Sequence, residues 1–179
     1  VNARVAAWQD GDTVRGITGY APPAGGLHYR WPDLPSLTIE QRLHAKLDAV
    51  RAFARVNSID RHIVAGEQAT VGIVTAGKAH YDLMEVLRRL DISTETLAAH
   101  GVRIYKLGLT YPLEPTRMRE FVRGLKEVLV IEEKGPVVEE QLRSMFYNAP
   151  ERPAIVGKQD AQGRPLVSAV GELRPSRLI

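Results

Sequence analysis

Residues 71–83 read VGIVTAGKAHYDL, and how that stretch is parsed decides the fold. Gly72, four residues, then Gly77 and Lys78 give most of a phosphate-binding loop, G-x-x-x-x-G-K-[ST]. The loop chemistry is incomplete, because Ala79 stands where a Ser or Thr hydroxyl would hold Mg²⁺. Ile73 and Val74 are β-branched residues suited to a pleated, half-buried strand. Val71 to Thr75 is therefore a strand with Gly72 inside it. Thr75-Ala76-Gly77-Lys78 is left as a tight turn into a helix, too short to wrap a triphosphate. Gly77 serves there for its backbone freedom.

Outward from this strand, apolar residues alternate between strand and helix patterns. Residues 61–77, RHIVAGEQATVGIVTAG, read as a hairpin: a short strand 61–65, a turn at 66–68, and the strand just described. A helix follows over 79–90, with Leu83, Val86, Leu87 and Leu90 on one face. A strand comes next at 102–107. EPTRMREFVRGL (114–125) is a helix with Pro115 in its first turn and Met118, Phe121, Val122 and Leu125 facing inward. EVLVIEE (127–133) is an unbroken apolar strand typical of a sheet covered on both faces. GPVVEEQLRSMFYN (135–148) is a helix burying Val138, Leu142, Met145 and Phe146. PAIVGK (153–158) is the last strand. The alternation predicts an α/β fold of three layers, α/β/α, around a mixed five-stranded sheet whose first strand is an antiparallel edge.

The flanks differ from this body. Residues 1–37 form an irregular arm rich in Pro and Gly, with Pro22, Pro23, Pro32 and Pro35 among Gly16, Gly19, Gly25 and Gly26. Tyr20, Tyr29 and Trp31 in the arm indicate that it packs on something. A connecting helix spans 38–58, opened by a capping box at Thr38-Ile39-Glu40-Gln41, with Leu43, Leu47, Val50 and Ala54 at helical spacing. The α/β domain occupies 59–158. Residues 159–179 turn at 160–163 and are expected to leave the domain toward a downstream part. The chain lacks an initiator Met, and a piece of a longer protein is expected.

Composition narrows the functional classes. The 179 residues are 44% hydrophobic and 25% charged, enough for one ordinary core plus an appendage. There is no cysteine, so neither a disulfide nor a thiolate-held cluster can form within the chain. This usage fits a cytoplasmic protein. No apolar run approaches the ~18 residues of a membrane span, and no signal peptide is visible. Net charge is +3 from 24 basic and 21 acidic residues, mixed along the chain without a Lys/Arg block carrying interleaved aromatics. Neither a nucleic-acid nor a membrane partner is expected.

Catalytic motifs are missing. No G-x-S-x-G or H-E-x-x-H occurs, and His28, His44, His62, His80 and His100 are scattered rather than set at ligand spacing. QDGDT (9–13) approaches the G-D-G of a thiamine diphosphate–magnesium motif. Its order is Asp10-Gly11-Asp12, however, and no Asn lies between Asn2 and Asn57 to complete the oxygen shell. It reads as a turn. Glu132 and Glu133 end a strand just before a helix, where open α/β sheets form ligand crevices. The alternative is exposure to solvent with a favourable helix-dipole interaction. No base, nucleophile or ligand set accompanies them, so no catalytic residue and no metal ligand is assigned. The candidates that remain are those bordering a strand-end crevice: Gly77, Lys78, Tyr111 and Glu133.

Three stretches, 71–87, 101–143 and 152–173, taken with 30–57 before them, resemble indolepyruvate ferredoxin oxidoreductase in its long fused bacterial form. A strand leading to Pro-Leu (Ile104 to Leu113) followed by Val130-Ile131-Glu132-Glu133 is similar to a recurrent signature of that family, and the order and spacing of the stretches together carry the resemblance. The resemblance implies a domain similar to the C-terminal domain of transketolase, a five-stranded mixed sheet with one antiparallel edge strand. It implies that the whole enzyme decarboxylates an aryl 2-oxoacid such as indole-3-pyruvate on thiamine diphosphate and Mg²⁺. The acyl group would pass to coenzyme A, and two electrons through 4Fe-4S clusters to ferredoxin. It places the cofactor motifs on other domains, so no cofactor is expected on this chain. The expected partners are other domains of the same enzyme and a homodimer interface. Two readings follow: a docking domain inert by itself, or a free-standing α/β domain that binds a small ligand in the crevice.

Overall fold

A computed structural model describes residues 20–24, 26–27, 36–150 and 152–179. The readings at Asp10–Thr13, His28, Tyr29 and Trp31 lie outside the described residues. The chain divides into two units, Val1–Ile59 and Asp60–Ile179. The described part of the first unit is dominated by helix α1, Leu37–Asn57. Its N-cap is Ser36, two residues before the Thr38 that opens the expected capping box, and no side chain caps it. The Ser36 hydroxyl instead meets that of Thr38 at 2.7 Å. The α1 face also differs from the expected one. Arg42, Ala49, Ala52 and Ala54 are buried, while Leu43 and Val50 are exposed. Ser58, in the left-handed conformation, ends the helix. The Tyr20 hydroxyl donates to the Ala45 carbonyl at 2.8 Å, so this residue of the arm does pack on α1.

The second unit is the α/β body. Its elements are β1 (Arg61–Ala65), β2 (Val71–Ala76), α2 (Gly77–Arg89), α3 (Thr94–Ala99), β3 (Val102–Leu107), α4 (Pro115–Val122), β4 (Glu127–Ile131), α5 (Val137–Phe146) and β5 (Ala154–Val156). The sheet is mixed and five-stranded in the order β1-β3-β2-β4-β5, parallel except for β1 at the edge. Alternation along the strands sends residues to two separate cores. Val74, Tyr105, Leu107, Val128 and Val130 meet Met118 and Phe121 of α4 and Val138, Leu142 and Phe146 of α5. Ile73, Ile104, Leu129 and Ile131 meet Ala79, Leu83 and Leu87 of α2 on the opposite face. Three layers result, as the alternating pattern predicts.

One pairing differs. β1 does not form a hairpin with β2; it pairs with β3, with a bulge between His62 and Val64. Both edges of β2 are taken by the parallel strands β3 and β4. That leaves β1, still antiparallel in direction, to add beyond β3. The connection is held in place by Arg103 on β3. Its guanidinium donates to the carbonyls of Gly66 (3.0 Å) and Glu67 (3.3 Å) and to those of Phe121 (3.0 Å) and Arg123 (2.8 Å) at the end of α4. One cation thus fixes the β1–β2 link and satisfies carbonyls that α4 leaves open.

Gly72 has a packing role. A Cβ there would lie 2.5 Å from Leu125 Cδ1 and 2.9 Å from Phe121 Cζ. The glycine lets the end of α4 press onto the central strand. Helix α3 has no counterpart in the sequence reading; its N-cap Ser93 accepts from Thr96 N at 3.1 Å. The segment 159–179 does not lead away from the sheet. Val167 and Leu173 are buried in the α2-side core, and the Asp160 carboxylate closes the expected turn by accepting from Gln162 N and Arg164 N.

Candidate functional site

The sheet reverses its winding beside β2. The helix leaving β2 packs on one face and the helix leaving β4 on the other. Adjacent parallel strands with opposite exits leave a crevice at their carboxyl ends. Here it is a cleft of about 280 Å³ lined by Gly77, Lys78, Thr110, Glu132, Glu133 and Val137, among others. Of the four candidate residues, the fold brings Gly77, Lys78 and Glu133 to this cleft. Tyr111 does not line it; its side chain stands in solvent, 62% exposed.

Gly77 has φ +50 and free space where a Cβ would be, so backbone conformation alone selects glycine. The strand passes into α2 without a loop, and no wrapped phosphate cradle forms. Lys78 pairs with Asp82 at 2.8 Å, one turn along α2, and lies 3.7 Å from Glu172. It also donates to the Leu173 carbonyl. The hydrogen bond to Asp82 raises its pKa, with the charges of Asp82, Glu172 and Glu133 adding to the effect. Its charge is thus committed to this chain's own groups.

The two strand-end carboxylates part ways. Glu132 is buried and accepts from the N–H groups of Val138 (2.8 Å) and Glu139 (3.0 Å), capping α5 from the preceding strand. It meets the helix dipole as expected but is withdrawn from solvent. Glu133 faces the cleft, 3.9 Å from Lys134 Nζ. Behind Glu132 lies a polar cluster with no counterpart in the sequence reading. Buried Glu139 accepts from Lys158 N at 2.8 Å and pairs with Arg143 at 2.7 Å. Lys158 Nζ donates to the Glu132 carbonyl. Burial pushes the Lys158 pKa down, against the charges of Glu132, Glu139 and Glu133. The only cue in the sequence was Gly157-Lys158 at the end of the last strand. A Cβ at Gly157 would strike the Glu139 carboxylate at 2.3 Å, so the glycine makes room for it.

Two of the ionisable groups at the cleft, Lys78 and Glu132, therefore hold the fold together. A general acid or base must reach the proton it moves, and a nucleophile must have a base beside it. Glu132 and Lys78 meet neither need, because their bonds are to α5 N–H groups and to Asp82 and the 172–173 segment. The donors also fail to fit an iron–sulfur cluster, since the chain has no cysteine. Among the described residues, no three His, Asp or Glu side chains converge as metal ligands would.

Residues 61–178 match the family described as the indolepyruvate oxidoreductase domain. The chain belongs to that family. The matched range covers the α/β unit almost end to end, including the 159–179 segment that packs on it. The indolepyruvate oxidoreductase subunit IorA of Pyrococcus abyssi is 30% identical over 84% of this chain and 21% of its own length. Those of Thermococcus kodakarensis (34%, over 63% of this chain and 16% of its own) and Methanothermobacter thermautotrophicus (29%, over 68% and 18%) are similar. The chain thus spans about a fifth of the length of these curated relatives. Its family relatives are named as subunits of an oxidoreductase. Among solved structures, a 2-oxoglutarate:ferredoxin oxidoreductase from Magnetococcus marinus matches at TM-score 0.47 and 16% identity, over 89% of this chain and 26% of that one. A split-gene transketolase matches at TM-score 0.40 and 20% identity, over 54% and 31%. The indolepyruvate oxidoreductase domain has no helix, among the described residues, long and apolar enough to cross a membrane.

Proposed function

We propose that this chain is a docking domain of a longer, cytoplasmic, thiamine diphosphate-dependent 2-oxoacid:ferredoxin oxidoreductase acting on aryl substrates such as indole-3-pyruvate. The overall reaction joins the 2-oxoacid and coenzyme A to two oxidised ferredoxins. It gives the aryl-acetyl-CoA, CO₂, a proton and two reduced ferredoxins. Thiamine diphosphate supplies the electron sink for decarboxylation when bound, and iron–sulfur clusters carry the electrons. Both groups, with Mg²⁺, belong to other parts of the enzyme. This chain contributes surfaces that hold those parts, and a second copy of the enzyme, in register.

The observation that carries the reading is the commitment of the cleft's charges. Lys78 and Glu132 stand where an open α/β sheet would present a ligand site, and both are engaged by Asp82, the 172–173 segment and the start of α5. The relatives' names, as indolepyruvate oxidoreductase subunits, support the reaction class, and the small share of their length that is matched supports a larger assembly. Titration calorimetry of the 179-residue chain with thiamine diphosphate plus Mg²⁺, coenzyme A and indole-3-pyruvate tests it. No binding is expected up to millimolar ligand. Micromolar binding of any of the three favours instead a free-standing ligand-binding domain that uses the cleft at Gly77, Lys78 and Glu133.

A further inference from the structure

At the end of the sheet opposite the cleft, the exits of α4 and α5 enclose a second, larger hollow of about 920 Å³. Its floor is apolar, formed by Val122, Leu125, Met145, Phe146 and Ala149. Its rim carries Arg119, Arg123, Lys126 and Arg152, and its described lining includes no acidic residue. Arg119, Arg123 and Lys126 already lie close together in the sequence, and the fold adds Arg152 from beyond α5.

Two ordinary explanations for such a cluster fail here. Surface cations are commonly balanced by neighbouring carboxylates, as Arg88 and Arg89 are by Glu85. Arg119, Arg123 and Lys126 have no ion pair among the described residues; the nearby Glu120 pairs with Arg117 at 3.6 Å. Cations also gather at helix C-termini to offset the dipole. At α4 that duty is taken by Arg103, which binds the Phe121 and Arg123 carbonyls, and after α5 the Tyr147 carbonyl is taken by Arg152. Three positive side chains are left over around an apolar floor, and their mutual repulsion is unrelieved within the described chain.

We infer that this groove docks an acidic polypeptide segment, with Asp or Glu side chains on the Arg119–Arg123–Lys126 rim and an apolar side chain on the Leu125–Met145–Phe146 floor. The backbone favours a peptide over a small phosphate. Phosphate sites are built from N–H groups at helix N-termini, whereas here two helices present their carbonyl ends. The anion must be held by long side chains reaching away from the backbone, as in electrostatic docking between proteins. Arg, Phe and Met are also the residues that favour protein interfaces. The inference rests on the docking reading, of which it specifies one face.

Fluorescence anisotropy of the intact chain tests it, using a labelled twelve-residue probe peptide of alternating Glu and Leu. Binding should weaken steeply with added NaCl, and replacing Leu by Ser in the probe should reduce it. The variant R119Q/R123Q/K126Q should lose about tenfold or more in affinity. A control of equal charge change at the cleft end of the sheet, R61Q/K106Q/R174Q, should lose less than about threefold. Circular dichroism confirms that both variants are folded. Equal binding by the triple variant and the native chain overturns the inference. So does competition by micromolar pyrophosphate, which would make the groove a small-anion site. Preference for a single-stranded oligonucleotide over the peptide overturns it too. Failure here with silent calorimetry removes the groove but leaves the docking reading. Calorimetric binding of the small ligands removes the docking reading but leaves the groove result intact.

Discussion

Replacing Gly72 by Ala separates two uses of glycine within six residues of each other. Gly72 lies in mid-strand without a positive φ, so its backbone accepts alanine. The obstacle is space: the added methyl would sit 2.5 Å from Leu125 Cδ1 and 2.9 Å from Phe121 Cζ. Carbon atoms pack best at about 3.5–4.0 Å, so Leu125 must retreat by roughly 1 Å within a buried cluster. Overpacking of this kind costs about 1–3 kcal/mol. Against it stands a gain of about 0.4–1 kcal/mol from the smaller entropy of an unfolded chain with alanine. The expected net loss is about 1–2 kcal/mol, read as a lower urea midpoint by far-ultraviolet circular dichroism. Leu125→Ala alone should cost about 2–5 kcal/mol. The double variant should be less destabilised than the sum by about 1 kcal/mol or more, since the new methyl fills part of the vacated space. A neutral or stabilising Gly72→Ala, or a cycle that adds without coupling, would refute the claim that α4 is pressed onto the central strand there.

Gly77→Ala should cost about 1–2 kcal/mol for the opposite reason, a left-handed φ with no steric contact, and Gly77→Asn should recover part of it in the same urea titration. Arg103→Ala should cost about 2–3 kcal/mol by removing a charged donor from four carbonyls on two segments. Arg103→Lys should recover less than half of that, because an ammonium cannot fork to both. His62 packs edge-on against Tyr105 at 4.8 Å. Its pKa is held below 6.5, first by burial and then by Arg103 and Arg117, against a weaker opposite pull from Glu120. The folded chain therefore binds this proton less readily than the unfolded one. The contribution is present above pH 6.5 and is lost as the pH falls toward the depressed folded value. Urea midpoints from pH 8 to 5 should fall more steeply for the native chain than for His62→Gln; identical slopes would contradict the stated environment.

The parallel core was legible because apolar runs such as 127–131 and 71–75 admit no other placement than a doubly covered sheet. The partner of β1 was not. Strand character is local, but whether β1 lies beside β2 or β3 depends on β3 and β4 both claiming the edges of β2. Helix α3 left little trace, because its six residues include none that is buried. The 159–179 segment was misread for a related reason: Val167 and Leu173 are single apolar residues in a Gly- and Pro-bearing run, with no period to betray their burial. At the cleft, sequence position located Gly77, Lys78 and Glu133 correctly at strand ends. It gave no hint that Glu132 turns inward to cap α5, since burial of one of two adjacent glutamates is set by the helix that follows.

The central claim is that this domain holds reacting parts in place and performs no bond-making at its own strand-end cleft. It is tested most directly by steady-state kinetics of the full enzyme carrying Lys78→Met with Glu133→Gln, using indole-3-pyruvate, coenzyme A and a ferredoxin-type acceptor. The account predicts kcat and KM within about twofold of the native enzyme. A fall in kcat of about a hundredfold or more, with thiamine diphosphate and iron contents unchanged, would place chemistry at the cleft and contradict it.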